Sequence, residues 1–109
     1  MAKNPTHNTS KTHIADLVYV LEKLGVHRLM ISPGSRSAPL VIALERSEGI
    51  ECMTITDERC AAFFALGVAL ARGEAVGMVC TSGSAPLNYS PALAEAFYQH
   101  VPLIALTAD

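Results

Sequence analysis

The sequence of 109 residues is poor in charge: Asp, Glu, Lys and Arg make up 17% of it, the formal net charge is −2, and Lys and Arg form no cluster. Without a basic patch there is no electrostatic footprint for nucleic acid or for an anionic membrane, and neither is expected as a partner. Long apolar runs are also missing. The longest, Ala61 to Ala71, is too short to span a bilayer, and the polar start from Met1 to Lys11 lacks the apolar centre of a secretory signal. A cytoplasmic location is therefore expected. Cys52, Cys60 and Cys80 are odd in number, far apart and without a Cys-x-x-Cys pair, so neither a disulfide framework nor a zinc site is indicated and buried reduced thiols are expected. His7, His13, His27 and His100 have no metal-ligand spacing, and no metal is assigned to residues of this chain. G-x-G-x-x-G, a Walker phosphate loop and G-x-S-x-G are all absent, which leaves classical dinucleotide binding, P-loop chemistry and the α/β-hydrolase mechanism without support.

What is present alternates between two periods. Residues 1–11 are polar and aperiodic and read as a flexible lead-in. From Thr12, a candidate N-cap, Ile14, Leu17, Val18, Leu21 and Leu24 recur at helical spacing, and Gly25 suits a left-handed C-terminus. Val26 to Ser32 is a continuous apolar run of the kind found in strands covered on both faces. A helix is predicted from Ala38 to Arg46, with Ser37 as cap and Pro39 in its first turn. A second strand follows from Glu51 to Thr56, then a helix from Glu58 to about Arg72. Val76 to Cys80 is a third strand, and a helix from about Pro86 or Asn88, which Pro91 kinks or restarts, runs to Gln99. Leu103 to Leu106 is a fourth strand. Strands alternating with helices predict an α/β fold, a parallel sheet covered by helices and joined by right-handed crossovers, within one domain from 12 to 109. The sequence stops at a strand's carboxyl end, where such folds place a functional loop, and a longer protein is expected.

Between Ala61 and Ala71 the third helix carries no polar side chain, so it is predicted to be buried all round. The sheet covers one side. The other, with Ala61, Ala65, Val68 and Ala69 as candidates, would need a further domain or a second subunit.

Three strand-end loops fall on the carboxyl rim of a parallel sheet: Pro33 to Ser37, the Asp57-Glu58 junction, and Thr81 to Ala85. The first combines a glycine, hydroxyls, a helix N-terminus and Arg36, which suit a carboxylate or phosphate; a tight turn with Arg36 in solvent fits the same residues. Glu58 stands in the first turn of a helix, beside the positive end of its dipole. Local pattern alone favours an acidic helix start over a catalytic group. The third loop offers small residues and backbone donors against which a flat ring can pack, or an ordinary capped helix start. From the residues alone, this is a ligand-binding α/β domain with a carboxylate and an arginine on its rim.

The wording of these loops adds to that reading. Ile31-Ser32-Pro33-Gly34-Ser35-Arg36-Ser37-Ala38-Pro39-Leu40, then Asp57-Glu58-Arg59 with Ala61-Ala62-Phe63, then Thr81-Ser82-Gly83-Ser84-Ala85 with Asn88, Pro91-Ala92 and Glu95-Ala96, and last Leu106-Thr107-Ala108-Asp109, stand in order. In this the sequence resembles the 2-succinyl-5-enolpyruvyl-6-hydroxy-3-cyclohexene-1-carboxylate synthases, the thiamine-diphosphate enzymes of menaquinone biosynthesis. The resemblance covers nearly all of the chain after Thr12; Ser84 stands where that family commonly has Thr. It implies a Rossmann-like pyrimidine-binding domain, partial here. It also implies a transferase that decarboxylates 2-oxoglutarate and adds the succinyl semialdehyde carbanion equivalent to isochorismate, working as a homodimer or dimer of dimers. Thiamine diphosphate and Mg²⁺ or Mn²⁺ are the implied cofactors, with the metal ligands outside this chain, so the chain alone is expected to be inactive.

By position, Glu58 matches the glutamate that hydrogen-bonds the cofactor's aminopyrimidine and favours its imino tautomer. Ser35 and Arg36 match substrate-contacting residues, and Gly83, Ser84 and Asn88 fall near the pyrimidine pocket. Two alternatives remain: the pyrimidine domain of another thiamine-diphosphate enzyme, such as an acetolactate-synthase-like protein, against which the loop from Ser32 to Ser37 argues, and a non-catalytic α/β binding module.

Overall fold

A computed structural model describes residues 12–109; the expected lead-in at 1–11 lies outside the described residues. Four strands, β1 (Arg28–Ile31), β2 (Glu51–Thr54), β3 (Val76–Cys80) and β4 (Leu103–Thr107), alternate with helices α1 (Thr12–Lys23), α2 (Ala38–Arg46), α3 (Glu58–Arg72) and α4 (Ser90–Gln99). A 3₁₀ turn, Ala85–Tyr89, precedes α4, and Pro91 sits in the first turn of α4, where its missing N–H costs nothing. The predicted elements are all present, although β2 ends at Thr54 rather than Thr56.

All pairings are parallel and the strand order is β2-β1-β3-β4. From β1 the chain moves to β2 on one side; from β3 it moves to β4 on the other. Right-handed crossovers in opposite directions must lie on opposite faces of the sheet, and the packing agrees. Leu29, Ile31 and Val79 meet α1 and α2 through Val18, Leu21, Ala43 and Leu44. Met30, Val76, Met78 and Cys80 meet α3 and the Ala85–Tyr89 turn through Ala61, Ala62, Ala65 and Tyr89. Side chains alternate along each strand, so a strand buried on both faces must be apolar throughout, as β3 is. Each fully buried aliphatic side chain in these layers contributes about 1.5–3 kcal/mol of transfer free energy.

The outer face of α3 is not the one expected. Ala61, Ala65 and Ala69 are buried against the sheet and Val68 packs at the edge of the same cluster, whereas Phe63 (40% exposed), Phe64 (45%) and Leu70 (51%) point outward. Small alanines let the helix backbone approach the sheet, and the bulky side chains are left for the outside. The helix is apolar on both sides, as predicted, but its two sides are exchanged.

Two further expectations are corrected. Ser37 occupies the N-cap position of α2 but makes no capping bond; its backbone is helical there, and its hydroxyl donates instead to the Gly34 carbonyl at 3.0 Å. Of the thiols, Cys80 is buried and Cys52 half-buried, but Cys60 is exposed because it lies on the solvent side of the first turn of α3.

Candidate functional site

Adjacent strands β1 and β3 feed connections that depart in opposite directions, so a crevice opens at their carboxyl ends. Open α/β sheets bind ligands at such switch points. Here the two loops touch. A Cβ on Gly34 would stand 2.4 Å from Thr81 Cβ, far inside van der Waals contact, so only glycine lets the first loop lie this close to the third. Buried Ser32 ties in the second loop: its N–H donates to the Val79 carbonyl at 2.9 Å and its hydroxyl to the Ile55 carbonyl at 2.7 Å. Ala108 N–H donates to the Cys80 carbonyl at 3.1 Å. These bonds bring the ends of all four strands onto one rim.

The junction into α3 is a well-made helix start. Asp57 is extended and accepts from the Cys60 N–H at 2.8 Å, so Asp57 is the cap, and Glu58 is freed for another role. That bond, with help from Arg59, holds the exposed Asp57 carboxyl below the usual carboxylate range. Glu58 is partly buried in the first turn. Ala61 and Ala62, three and four residues on, pack with Cys80 and Tyr89, which sets Glu58 one turn above the same face. Glu58 is close enough for its charge to act on both groups. Burial pushes the Cys80 thiol up, opposed by the hydrogen-bonding contact of the Tyr89 hydroxyl and aided slightly by Glu58; burial first, then that contact with Cys80, then Glu58, raise the Tyr89 phenol.

On the third loop, Gly83 is left-handed at φ 80° with open space where a Cβ would stand. Ser84 starts the 3₁₀ turn, its carbonyl accepting from the Leu87 N–H and from Asn88 Nδ2 at 3.1 Å; Ser84, Leu87 and Asn88 are exposed. Ser35 and Arg36 are exposed on the first loop. Arg36 lines a cleft of about 350 Å³ with His13, Leu17, Leu40 and Asp109, on the α1/α2 side of the sheet. Glu58, Tyr89 and Cys80 lie on the α3/α4 side. The candidate residues therefore share one rim but not one cleft. Among the described residues no group of three His, Cys, Asp or Glu side chains could hold a metal ion.

Tyr89 and Ser32 received no role from sequence. The signal for Tyr89 was present: Ala85, Tyr89, Ala92 and Ala96 follow helical spacing and are the buried stripe of that segment. Nothing local marks the Ser32 hydroxyl, whose acceptor is 23 residues away.

The chain is similar to known proteins over most of its length. A 2-succinyl-5-enolpyruvyl-6-hydroxy-3-cyclohexene-1-carboxylate synthase is similar to this chain: in Porphyromonas gingivalis it is 54% identical over 101 residues, covering 93% of this chain and 18% of that protein. In Desulfotalea psychrophila it is 54% identical over 100 residues, covering 92% of this chain and 19% of the relative. The chain thus spans less than a fifth of the length of these curated relatives. Among solved structures, a thiamine diphosphate-dependent 4-hydroxybenzoylformate decarboxylase from Rhodococcus jostii RHA1 superposes with a TM-score of 0.78 at 23% identity, over 88% of this chain and 18% of that one, a likeness of fold. A family model described as thiamine pyrophosphate enzyme, N-terminal TPP binding domain, matches residues 12–109. With a parallel sheet, a glutamate at a strand-to-helix junction and two loops meeting at the switch point, the chain belongs to that family of thiamine pyrophosphate enzymes.

Proposed function

We propose that residues 12–109 are part of the pyrimidine-binding domain of a thiamine-diphosphate-dependent transferase of menaquinone biosynthesis. In this reading the complete protein decarboxylates 2-oxoglutarate and joins the four-carbon remainder to isochorismate. The observation that carries it is the placement of Glu58: a partly buried glutamate at the start of α3, on the rim where β1 and β3 diverge, with the capping work done by its neighbour.

The surroundings fit an aminopyrimidine ring. Gly83 leaves open space above its backbone, Leu87 is 72% exposed beside it, and Ser84 and Asn88 supply polar groups at the margin. Bound thiamine diphosphate would supply the electron sink for loss of carbon dioxide from a 2-oxo acid. Glu58 would hold a proton against a ring nitrogen of the pyrimidine and so fix its tautomer. Ser35 and Arg36 would receive a substrate carboxylate, the guanidinium through two parallel hydrogen bonds. In this reading Mg²⁺ or Mn²⁺ and the diphosphate would be held by residues outside 12–109.

A second copy of the complete chain would cover the outer faces of α3 and α4, where Phe63, Phe64, Leu70, Phe97 and Tyr98 are exposed. No helix among the described residues is long and apolar enough to cross a membrane; a cytoplasmic location belongs to the same reading.

The test is made on the complete protein. Calorimetry with thiamine diphosphate is expected to show binding that needs Mg²⁺, and Glu58→Gln is expected to lower turnover by ~100-fold or more, the range of a lost acid–base group, while the circular dichroism spectrum is unchanged. Metal-independent or absent binding, or near-normal turnover of the variant, would refute the assignment.

A further inference from the structure

The Tyr89 hydroxyl is the one buried side-chain oxygen or nitrogen among the described residues without a hydrogen-bond partner, on a residue only 1% exposed. The hydroxyl lies against the Cys80 thiol, and the two act on one another's protonation as hydrogen-bonding groups with Tyr89 as donor, but the geometry falls short of a directed bond and a thiol is a weak acceptor. Leaving a buried hydroxyl unpaired costs about 1–3 kcal/mol, and phenylalanine would fill the same volume without that cost. A hydroxyl in this position therefore calls for a function. Its neighbours indicate one: Tyr89 ends the 3₁₀ turn of the third loop, it packs with Cys80 at the end of β3 and with Ala61 and Ala62, and Glu58 lies one turn before those alanines.

We infer that Tyr89 is a positioning residue for Glu58: its hydroxyl donates to the Glu58 carboxyl when a ligand is bound at the rim, and holds that carboxyl toward the open surface at Gly83. The inference rests on the pyrimidine-binding role proposed above. Burial and the nearby carboxylate keep the phenol protonated, so it acts only as a donor toward Glu58. Of the three loops, two would then be coupled through side chains: the residue that follows the ring-binding turn would orient the residue that meets the ring nitrogen.

The test is a double-mutant cycle on the complete protein, reading the dissociation constant of thiamine diphosphate at saturating Mg²⁺ by calorimetry. Tyr89→Phe is expected to weaken binding about fivefold in the unsubstituted protein, the worth of a hydrogen bond to an uncharged carboxyl, and by less than about twofold in a Glu58→Ala background. Equal effects in both backgrounds, or no effect in the first, would overturn the inference while leaving the proposed function standing. Absence of binding by the unsubstituted protein would overturn both. A second measurement separates positioning from packing. The ligand-free Tyr89→Phe protein is expected to unfold at the same or higher urea concentration, since it loses only an unpaired hydroxyl; a clear fall would assign Tyr89 a structural role instead.

Discussion

Replacing Gly34 by alanine is expected to force apart the two loops that meet at the switch point. The new methyl group would lie 2.4 Å from Thr81 Cβ, 2.6 Å from its Cγ2 and 3.0 Å from its Oγ1, where carbon atoms normally stand about 3.5–4.0 Å apart. Neither side yields easily. The first loop is tied to β3 by the Ser32 N–H and folded on itself by the Ser37 hydroxyl, while Thr81 follows directly on the buried β3. Gly34 does not have a left-handed φ, so the collision is the whole cost. Overpacking of this kind costs about 1–3 kcal/mol, and with a urea dependence near 1.5 kcal/mol/M, within the usual ~1–3, the unfolding midpoint should fall by about 1 M. A second substitution tests the geometry itself. Thr81→Ala removes Cγ2 and Oγ1 but keeps the nearest atom, whereas Thr81→Gly removes all three. Measured by urea titration against the matching Thr81 single variants, the Gly34→Ala penalty should persist with alanine at 81 and largely vanish with glycine. An unchanged midpoint for Gly34→Ala, or equal relief by both, would refute this account of the rim.

Other outcomes follow from the same geometry. Asp57→Ala removes the cap of α3 and should lower the urea midpoint. The folded-state pKa of Asp57 is lowered, so its contribution is complete above the ordinary carboxylate range and fades as pH falls through the lowered value; a gap between the two proteins that stays constant into acid would count against it. Brief alkylation of the native chain followed by peptide mass analysis should label Cys60 first. All three thiols are pushed up, Cys60 by its bond to Asp57, Cys80 by burial and Cys52 to about 11 by burial and Glu45, so exposure decides the order; comparable labelling of Cys80 would contradict the packing. Arg36→Ala should leave stability within about 0.5 kcal/mol, because Arg36 is exposed and makes no ion pair among the described residues. In the complete protein it should raise KM for a carboxylate substrate, and unchanged kinetics for both substrates would remove its proposed role.

Much of this molecule is written locally. The continuous apolar runs in β1 and β3, the helical spacing of Val18 and Leu21 in α1, the Asp57-Glu58 start of α3 and the glycines that end helices are decided by neighbours in sequence. Periodicity and turn chemistry therefore predicted the order of elements and the sheet class, and the wording of the three loops pointed to the family. Tertiary structure decided the rest. A helix apolar on every side has no contrast from which to read its inward face, so only docking on the sheet could show that Ala61, Ala65 and Ala69 face in and Phe63, Phe64 and Leu70 face out. The contact of Gly34 with Thr81 and the bond from Ser32 to Ile55 join segments far apart in the chain, and no local pattern encodes them. The same holds for the gathering of Cys80 and Tyr89 beneath Glu58, which depends on β3 standing next to β1 and on α3 crossing the face that this order leaves it.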